Sequence, residues 1–412
     1  MSIIFKLSKD SFFCYNYLGD VMKVFVIGGG ASGMAAAITS KRHDNDVTII
    51  EKNNNLGKKL LLTGNGRCNY YNIDTNISNY YSDGDVSKII NDNNIDKLKA
   101  FYDSIGVLPR IKDGYFYPYS NTSTAIQNSL VKEMEVLGIK IINEEVLDIS
   151  KNDRFIIKTN LNTYSCDKVI LSTGGITYPK TGSNGFGYNL LEKFGHTIIT
   201  PKVALVPLVT DENVKDWAGI RCTVDASFYI NDKNVITQSG EAQLTEYGIS
   251  GICIMNLSRF FDVNKKNTLS INFLPIVPDL YEFIEDRNKK LKGRTLIELL
   301  EMVINYKLLY FIFKKLHFNT SVRWDELNGK EKQLLIDNIT NYKLNIVGVR
   351  GLEMGEVTSG GVVLDEITDS CESTKVKNLF ITGELIDIDG ICGGYNLINA
   401  FITGILAGEA ND

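Results

Sequence analysis

Lys23-Val-Phe-Val-Ile-Gly28-Gly-Gly30-Ala-Ser-Gly33-Met-Ala-Ala-Ala-Ile38 decides the fold. An apolar, mostly β-branched run feeds a glycine cluster and then small and apolar residues at helical spacing. It reads as buried strand, tight turn and helix. Gly28 lets the chain turn sharply off the strand, and Gly30 lets the backbone approach a pyrophosphate. Gly33 lets the helix pack closely on the sheet, with its N-terminus facing the negative charge. A second apolar strand, Val47 to Ile50, ends in Glu51. That acid lies about 20 residues past the glycines, where the dinucleotide fingerprint places a carboxylate for ribose hydroxyls. A plain glycine-rich turn would not require strand, helix and acid in this register.

The 412 residues leave room for roughly two or three domains. Composition is 44% hydrophobic and 23% charged, as in an ordinary soluble protein. A net charge of -5 and a pI near 5.5 give no overall attraction for nucleic acid or anionic membrane, although a local patch can override so small a charge. The seven cysteines are odd in number and form no CxxC pair, which predicts reduced thiols, a cytoplasmic location and no zinc site. His43, His196 and His317 lack metal-ligand spacing, so no metal is expected, and each reads as a surface or packed residue, with a catalytic histidine as the alternative. Residues 1–21 form an extension without the apolar core of a signal peptide, and Met22 is an alternative start. Leu299 to Leu316 is interrupted by Glu301, Lys307, Lys314 and Lys315, which suits an amphipathic helix and not a membrane span.

Downstream of Glu51, the stretch Asn53 to Asn69 gathers Gly57, Gly64, Gly66, Lys58, Lys59, Arg67 and asparagines into one loop rich in donors for phosphates and a polar ring edge. Residues 85–105 read as helical, and Gly114 to Tyr119 as an aromatic loop, either lid or core plug. A helix follows to about Leu137, capped by Asn121 or Ser123. Alternating runs at Lys140–Ile142, Glu145–Ile149, Arg154–Lys158 and Thr163–Ser165 suggest a small antiparallel sheet. Lys168 to Thr173 runs straight into Gly174-Gly175, a second strand-to-glycine edge. Thr181 to Gly187 is glycine-rich, but no apolar strand feeds it.

From 201 to 342 the pattern changes. Strand-like segments (Cys222–Ile230, Thr268–Leu274) give way to helices at Asp279–Lys292, Thr295–Leu316 and Lys330–Thr340. The densest basic run, Arg287 to Arg294, lies here and reads as a solvated helix end, with RNA contact as the alternative. The C-terminal part repeats the opening style. Lys377 to Glu384 is a third strand ending in glycine and acid, and Asp387 to Asn396 leads into the apolar helix Leu397–Ala407. Three such edges imply one extended cofactor touched by distant parts of the chain. The boundaries that follow are 1–21 (extension), 22–200 and 343–412 (cofactor domain), and 201–342 (inserted domain).

Several of these stretches together resemble the BaiN/RdsA family, the YhiN-like NAD(P)/FAD-dependent oxidoreductases. They are Val26 to Met34, Thr63-Gly-Asn-Gly-Arg-Cys-Asn69, Ser172 to Pro179, Thr245 to Gly251, Val357 to Val362 and Gly383-Glu-Leu-Ile-Asp-Ile-Asp-Gly-Ile-Cys-Gly-Gly-Tyr-Asn396. The resemblance covers Met22 to the C-terminus. It implies an α/β fold in which an FAD-binding Rossmann-like domain of glutathione-reductase type is interrupted by a β-barrel-like domain and a small helical domain. It also implies cofactor contacts. Gly28, Gly30 and Gly33 would flank the pyrophosphate, and Glu51 would hold the adenosine ribose. Gly174 and Gly175 would pass near the adenine half. Arg67, Cys68 and Asn69 would lie beside the flavin, and Glu384, Asp389, Gly393, Gly394, Tyr395 and Asn396 would meet the ribityl chain and isoalloxazine. Ala31, Ser32, Lys52, Lys59, Val146, Thr173 and Gly383 complete the implied cofactor contacts. Two departures fall in the region assigned to substrate. Ile252-Cys253 follows Gly251 where the family often has proline, and Glu356 precedes Val357 where Ala-Gln is common.

The implied activity is transfer of hydride from NAD(P)H through FAD to a conjugated C=C bond. One fingerprint without a nicotinamide domain predicts that donor and substrate use the flavin face in turn. Cys253, Cys392 and Cys68 are the candidate proton donors, with Cys253 placed first. The family brings two substrates. One is a uridine of 23S ribosomal RNA, reduced to dihydrouridine, which Tyr115, Phe116, Tyr117 and the basic run fit. The other is a steroid or bile-acid enone. An electron-transfer or regulatory flavoprotein and an FAD-dependent oxidase are the rival classes, and the sequence leaves the oligomeric state open.

Overall fold

A computed structural model describes residues 21–410. The expected extension, except for Val21, lies outside them, as does Cys14.

Five parallel strands form the central sheet, in the order Leu379–Ile381, Lys168–Leu171, Lys23–Ile27, Asp46–Ile50 and Lys140–Ile142. The three strands that run into glycine are therefore neighbours, and their C-terminal ends open on one side. Burial on both faces explains the unbroken Val/Ile/Leu runs. Ile170, for example, is fully buried, and truncating it to alanine would cost about 2–5 kcal/mol. Lys140–Ile142 was expected in the antiparallel sheet. It pairs instead with Asp46–Ile50, and the antiparallel sheet consists of Val146–Lys151, Phe155–Thr159 and Thr163–Cys166.

The helix Ala31–Arg42 buries Ser32 through Ser40, mainly against the C-terminal helix Tyr395–Glu409. Their axes come close because Gly404 and Gly408 face the first helix. A Cβ at Gly404 would lie 2.3 Å from the Ser32 carbonyl oxygen.

The expected donor loop after Glu51 is partly helical. Lys58–Gly66 starts as helix and breaks at Thr63, Gly64 and Asn65, where the last two adopt positive φ. The expected aromatic loop is a strand, Tyr115–Pro118, paired with Pro109–Lys112 in a hairpin. Its turn, Asp113-Gly114, has positive φ at both residues, as a tight hairpin requires. The next helix, Ser123–Val136, is preceded by Thr122 at its N-cap, with no side-chain cap bond. The Asn121 or Ser123 cap is therefore not formed.

The insertion builds a closed barrel from Leu208–Thr210, Gly248–Ser250, Lys233–Thr245, Arg221–Ile230, Asn267–Asn272 and Tyr342–Val349. Val224, Ala226, Phe228, Leu244, Leu269 and Leu344 alternate into its core. The strand Tyr342–Val349 pairs with barrel strands on both sides, so the chain leaves the barrel after Val349 and not at 342. A helical layer, Leu280–Lys290, Leu296–Leu300, Tyr306–Lys315 and Gly329–Thr340, covers one side around Trp324. The expected helix Thr295–Leu316 is two helices, because the Asn305 side chain accepts from the Lys307 N–H and starts a new one. The segments entering and leaving the insertion pair with each other, Ile198–Ala204 against Val357–Val362.

Candidate functional site

The C-terminal ends of the three glycine-terminated strands open into a cleft of about 380 Å³, partly open to solvent. At its base Gly28, with φ +101°, donates its N–H to the Ile50 carbonyl, and a Cβ there would lie 2.4 Å from the Ser172 carbonyl oxygen. Gly30 precedes the first helix without any side-chain cap, and a Cβ on it would meet nothing within 4 Å. Gly394, with φ +98°, starts the C-terminal helix in the same uncapped way. Both helix starts border the cleft, so their first-turn N–H groups remain available to anionic ligand atoms.

Glu51 is nearly buried. One carboxylate oxygen accepts from the Gly29 N–H at 2.7 Å, and the other accepts from the Asn53 N–H and side chain. The Gly29-bonded oxygen keeps a second lone pair for a ribose hydroxyl. Asn53 also reaches the Thr181 carbonyl, and Lys58 donates to Asn53, so the cleft wall is tied across distant segments. Lys59 donates at 2.6 Å to both Thr177 and Glu384, and the second Glu384 oxygen accepts from the Thr358 N–H. Gly175 is set back behind the cleft. Its lack of a side chain is what admits this group, since a Cβ would lie 2.0 Å from Thr358 Oγ1 and 2.8 Å from Glu384 Oε2. Thr173 Oγ1 is buried without a protein partner among the described residues.

Of the residues the sequence singled out, Gly28, Gly30, Ala31, Ser32, Glu51, Lys52, Lys59, Arg67, Asn69, Val146, Thr173, Gly174, Gly383, Glu384, Cys392, Gly393, Gly394 and Asn396 line the cleft. Gly33, Cys68, Gly175, Asp389, Tyr395 and Cys253 do not. Gly33 lies beneath the turn, where a Cβ would fall 2.0 Å from the Gly28 carbonyl oxygen. Tyr395 is buried, stacks edge-on against Tyr80 and shares a hydrogen bond with Asn79. Asp389 was expected at the ribityl chain. It is buried instead and receives the Arg259 guanidinium at 2.7 Å, joining the insertion to the cofactor domain. Burial raises its pKa to about 6 against the opposing pull of Arg259.

The three thiols differ in place. Cys253 belongs to the barrel core, with its sulfur toward the Glu241 carbonyl, and burial raises its pKa to about 11. Cys68 is fully buried with φ +58°, and burial lifts it to about 12 despite a hydrogen bond with Thr63. Cys392, placed second to Cys253 by the sequence reading, reaches the cleft, and Cys253 does not. The Cys392 N–H is fixed on Asn256 Oδ1 at 2.8 Å, and burial, with the charge of Glu356, holds its thiol protonated well above the ordinary range.

Glu356 itself lines the cleft and was not singled out as a site residue. Its N–H is held by the Leu205 carbonyl at 3.1 Å. Although the residue as a whole is exposed, the cleft wall partly desolvates its carboxyl and raises the pKa above the ordinary carboxylate value, partly offset by Lys59. The available signal was an acid where the resembling family commonly has glutamine. Leu205, Ile252 and Met255 supply an apolar wall from the insertion beside Cys392. Arg67, exposed and lining the cleft, lies 5.4 Å from the Tyr117 ring centroid. The basic run Arg287 to Arg294 is absent from the cleft, and part of its charge is matched by Asp286 and Glu298. His196 is held by Glu366 and Ser373 away from the cleft, and the described residues contain no metal-ligating cluster.

The uncapped helix starts, the Glu51 carboxylate and the long cleft joining three strand ends fit FAD: adenosine at Glu51, pyrophosphate at Gly30 and flavin toward Gly394. No described helix is long and apolar enough to cross a membrane.

A family model described as the HI0933-like protein Rossmann domain matches residues 22–410. The chain is 32% identical over 403 residues to the 3-dehydro-bile acid delta(4,6)-reductase of Clostridium scindens, covering 94% of this chain and 98% of that relative. It is 26% identical over 380 residues to the ribosomal RNA dihydrouridine synthase of Escherichia coli, covering 90% and 93%. Among solved structures, the 3-ketosteroid-delta4-(5alpha)-dehydrogenase of Rhodococcus jostii shares the fold, with a TM-score of 0.51, 14% identity and coverage of 96% and 98%.

Proposed function

Given that the chain belongs to the HI0933-like Rossmann family and is a flavin-dependent oxidoreductase, we propose that it uses NAD(P)H to reduce the conjugated C=C bond of a uridine in 23S ribosomal RNA. Bound in the cleft, FAD supplies a two-electron carrier between nicotinamide and the C=C bond. The chain's own residues bind it, exclude water from one face and hold the proton that the neighbouring carbon must receive. We assign that proton to Cys392, the one of the three candidate thiols that lines the cleft. Losing it leaves a thiolate that burial disfavours, so a second acid must restore it, and Glu356 is a cleft-lining carboxyl whose charge already acts on Cys392.

The observation that supports RNA is the rim pair of Arg67 and Tyr117. A guanidinium over an aromatic ring at the mouth of a cofactor cleft suits a phosphate next to an unstacked base. The name of the Escherichia coli relative points the same way. A second reading, reduction of a steroid enone, is favoured by the higher identity to the bile-acid reductase and by the apolar wall of Leu205, Ile252 and Met255. The test incubates purified protein with NADPH and either ribosomal RNA lacking the modification or a 3-oxo-Δ4 steroid. Dihydrouridine in the RNA supports the first reading. Steroid turnover without dihydrouridine establishes the second.

A further inference from the structure

The hairpin Pro109–Lys112/Tyr115–Pro118 stands beside the cleft with its outer strand exposed at every residue. Register places Arg110 opposite Tyr117 and Lys112 opposite Tyr115. Residues directly opposite in an antiparallel pair share a face, so these two cations and two tyrosines lie on one side. Phe116 points to the other side and packs edge-on against Tyr70 and Tyr71. The cationic face runs into the cleft, because Tyr117 lines it and carries Arg67 above its ring. The hairpin's one acid, Asp113, sits at the turn, and no described carboxylate forms an ion pair with Arg67, Arg110 or Lys112. On a chain of net charge -5, such a face marks a local preference for a polyanion.

We propose that this hairpin face, Arg110, Lys112, Tyr115 and Tyr117 together with Arg67, is a docking surface for single-stranded RNA. In it the cations hold phosphates flanking the target nucleotide, and the Arg67–Tyr117 pair stacks a base at the cleft mouth. The proposal rests on the RNA reading above, to which it adds the place where the strand lies. Arginine and lysine on a pleated strand, with tyrosines alternating beside them, match the spacing of backbone charge and base planes in a strand freed from a duplex. A steroid would have no use for two cations outside the cleft.

The test is an Arg110→Ala/Lys112→Ala variant of the FAD-loaded protein. Both side chains are on the exposed strand, so an unchanged flavin spectrum and unchanged NADPH oxidation with a small artificial acceptor verify that the fold and cofactor are intact. Binding of a uridine-containing single-stranded RNA oligonucleotide is read by anisotropy across a salt series. The expected result is at least tenfold weaker binding, with the log–log salt slope smaller by about 1.4, since each lost phosphate contact removes about 0.7. Equal affinity and slope in variant and wild type, or no RNA binding by the wild type, would overturn the docking surface. Should the wild type bind with the stated salt dependence and the variant not, while no dihydrouridine forms, the docking surface stands and the uridine-reduction reading falls.

Discussion

Lys59 and Glu384, 325 positions apart, meet at 2.6 Å on the cleft wall and join the helix after the second strand to the end of the fifth. Both side chains are largely shielded from solvent, at 21% and 18% exposure. Lys59→Met would leave the Glu384 carboxylate with only its Thr358 N–H contact on the cleft wall. The expected loss is about 1–3 kcal/mol of FAD affinity, roughly tenfold to a hundredfold. Titration of flavin-free protein with FAD measures it, and an unchanged Kd would show that the pair merely decorates the wall.

Gly28 and Gly30 are expected to respond differently to the same added methyl group. Gly28→Ala combines positive φ with a 2.4 Å approach to Ser172, so it should lower thermal stability and prevent a yellow, flavin-loaded protein from forming. Gly30 has φ −78° and open space around its Cβ position. Gly30→Ala should therefore leave the unfolding temperature of the flavin-free protein unchanged or slightly raised while weakening FAD at least tenfold. If Gly30→Ala bound FAD normally, the pyrophosphate would have to lie elsewhere.

The glycine edges were legible because their requirement is local: a strand must turn, and only glycine tolerates the angle or the close approach. The strand pattern made the insertion legible as β-rich and then helical, and the resemblance implied a barrel, but the last barrel strand was not foreseen, since Tyr342–Val349 has meaning only beside Asn267–Asn272 and Leu208–Thr210. Asp389 and Tyr395 lie off the cleft lining for a related reason. Arg259, from the insertion, claims the first, and Asn79 and Tyr80 claim the second. A motif shows which residues are near a cofactor without showing which way each side chain points. Cys253 and Cys392 are alike in sequence context, and only the packing of the barrel core against the cleft separates them.

Glu366 is expected to carry a pH-dependent part of the stability, remote from the cleft. It accepts from the Thr197 N–H and hydroxyl, pairs with Lys375 and touches His196. Burial tends to raise its pKa, but the bonds from Lys375 and Thr197 prevail and hold it at about 2, below its ordinary 4.5. A depressed carboxyl contributes stability that is present above its unfolded value and lost as pH falls through the folded one. Glu366→Gln should thus cost about 1–2 kcal/mol at neutral pH, after allowance for screening. Denaturant unfolding should show the gap between variant and wild type closing from pH 4.5 down toward 2. A gap constant with pH would remove the ionic explanation.

Cys392 and Glu356 make the last and most direct prediction, because they divide the handling of one proton. Cys392→Ala removes the thiol that reaches the cleft, and turnover of the C=C substrate should fall about 10²- to 10⁴-fold while reduction of the bound flavin by NAD(P)H is unchanged. Cys253→Ala should lower stability through a small cavity in the barrel core and leave turnover nearly intact. For Glu356 the sign follows from its raised pKa. The carboxyl is protonated, and able to restore the thiol, below that value, so turnover should fall as pH rises through it, above the ordinary 4.5. Glu356→Gln should abolish that limb of the pH profile. It should also let the Cys392 thiolate form at lower pH, because the neighbouring negative charge that opposes it is gone. Alkylation rates of Cys392 across pH provide the second readout, independent of substrate. If the pH limb persists in Glu356→Gln and the alkylation profile does not move, the two residues are uncoupled, and Cys392 must draw its proton from solvent.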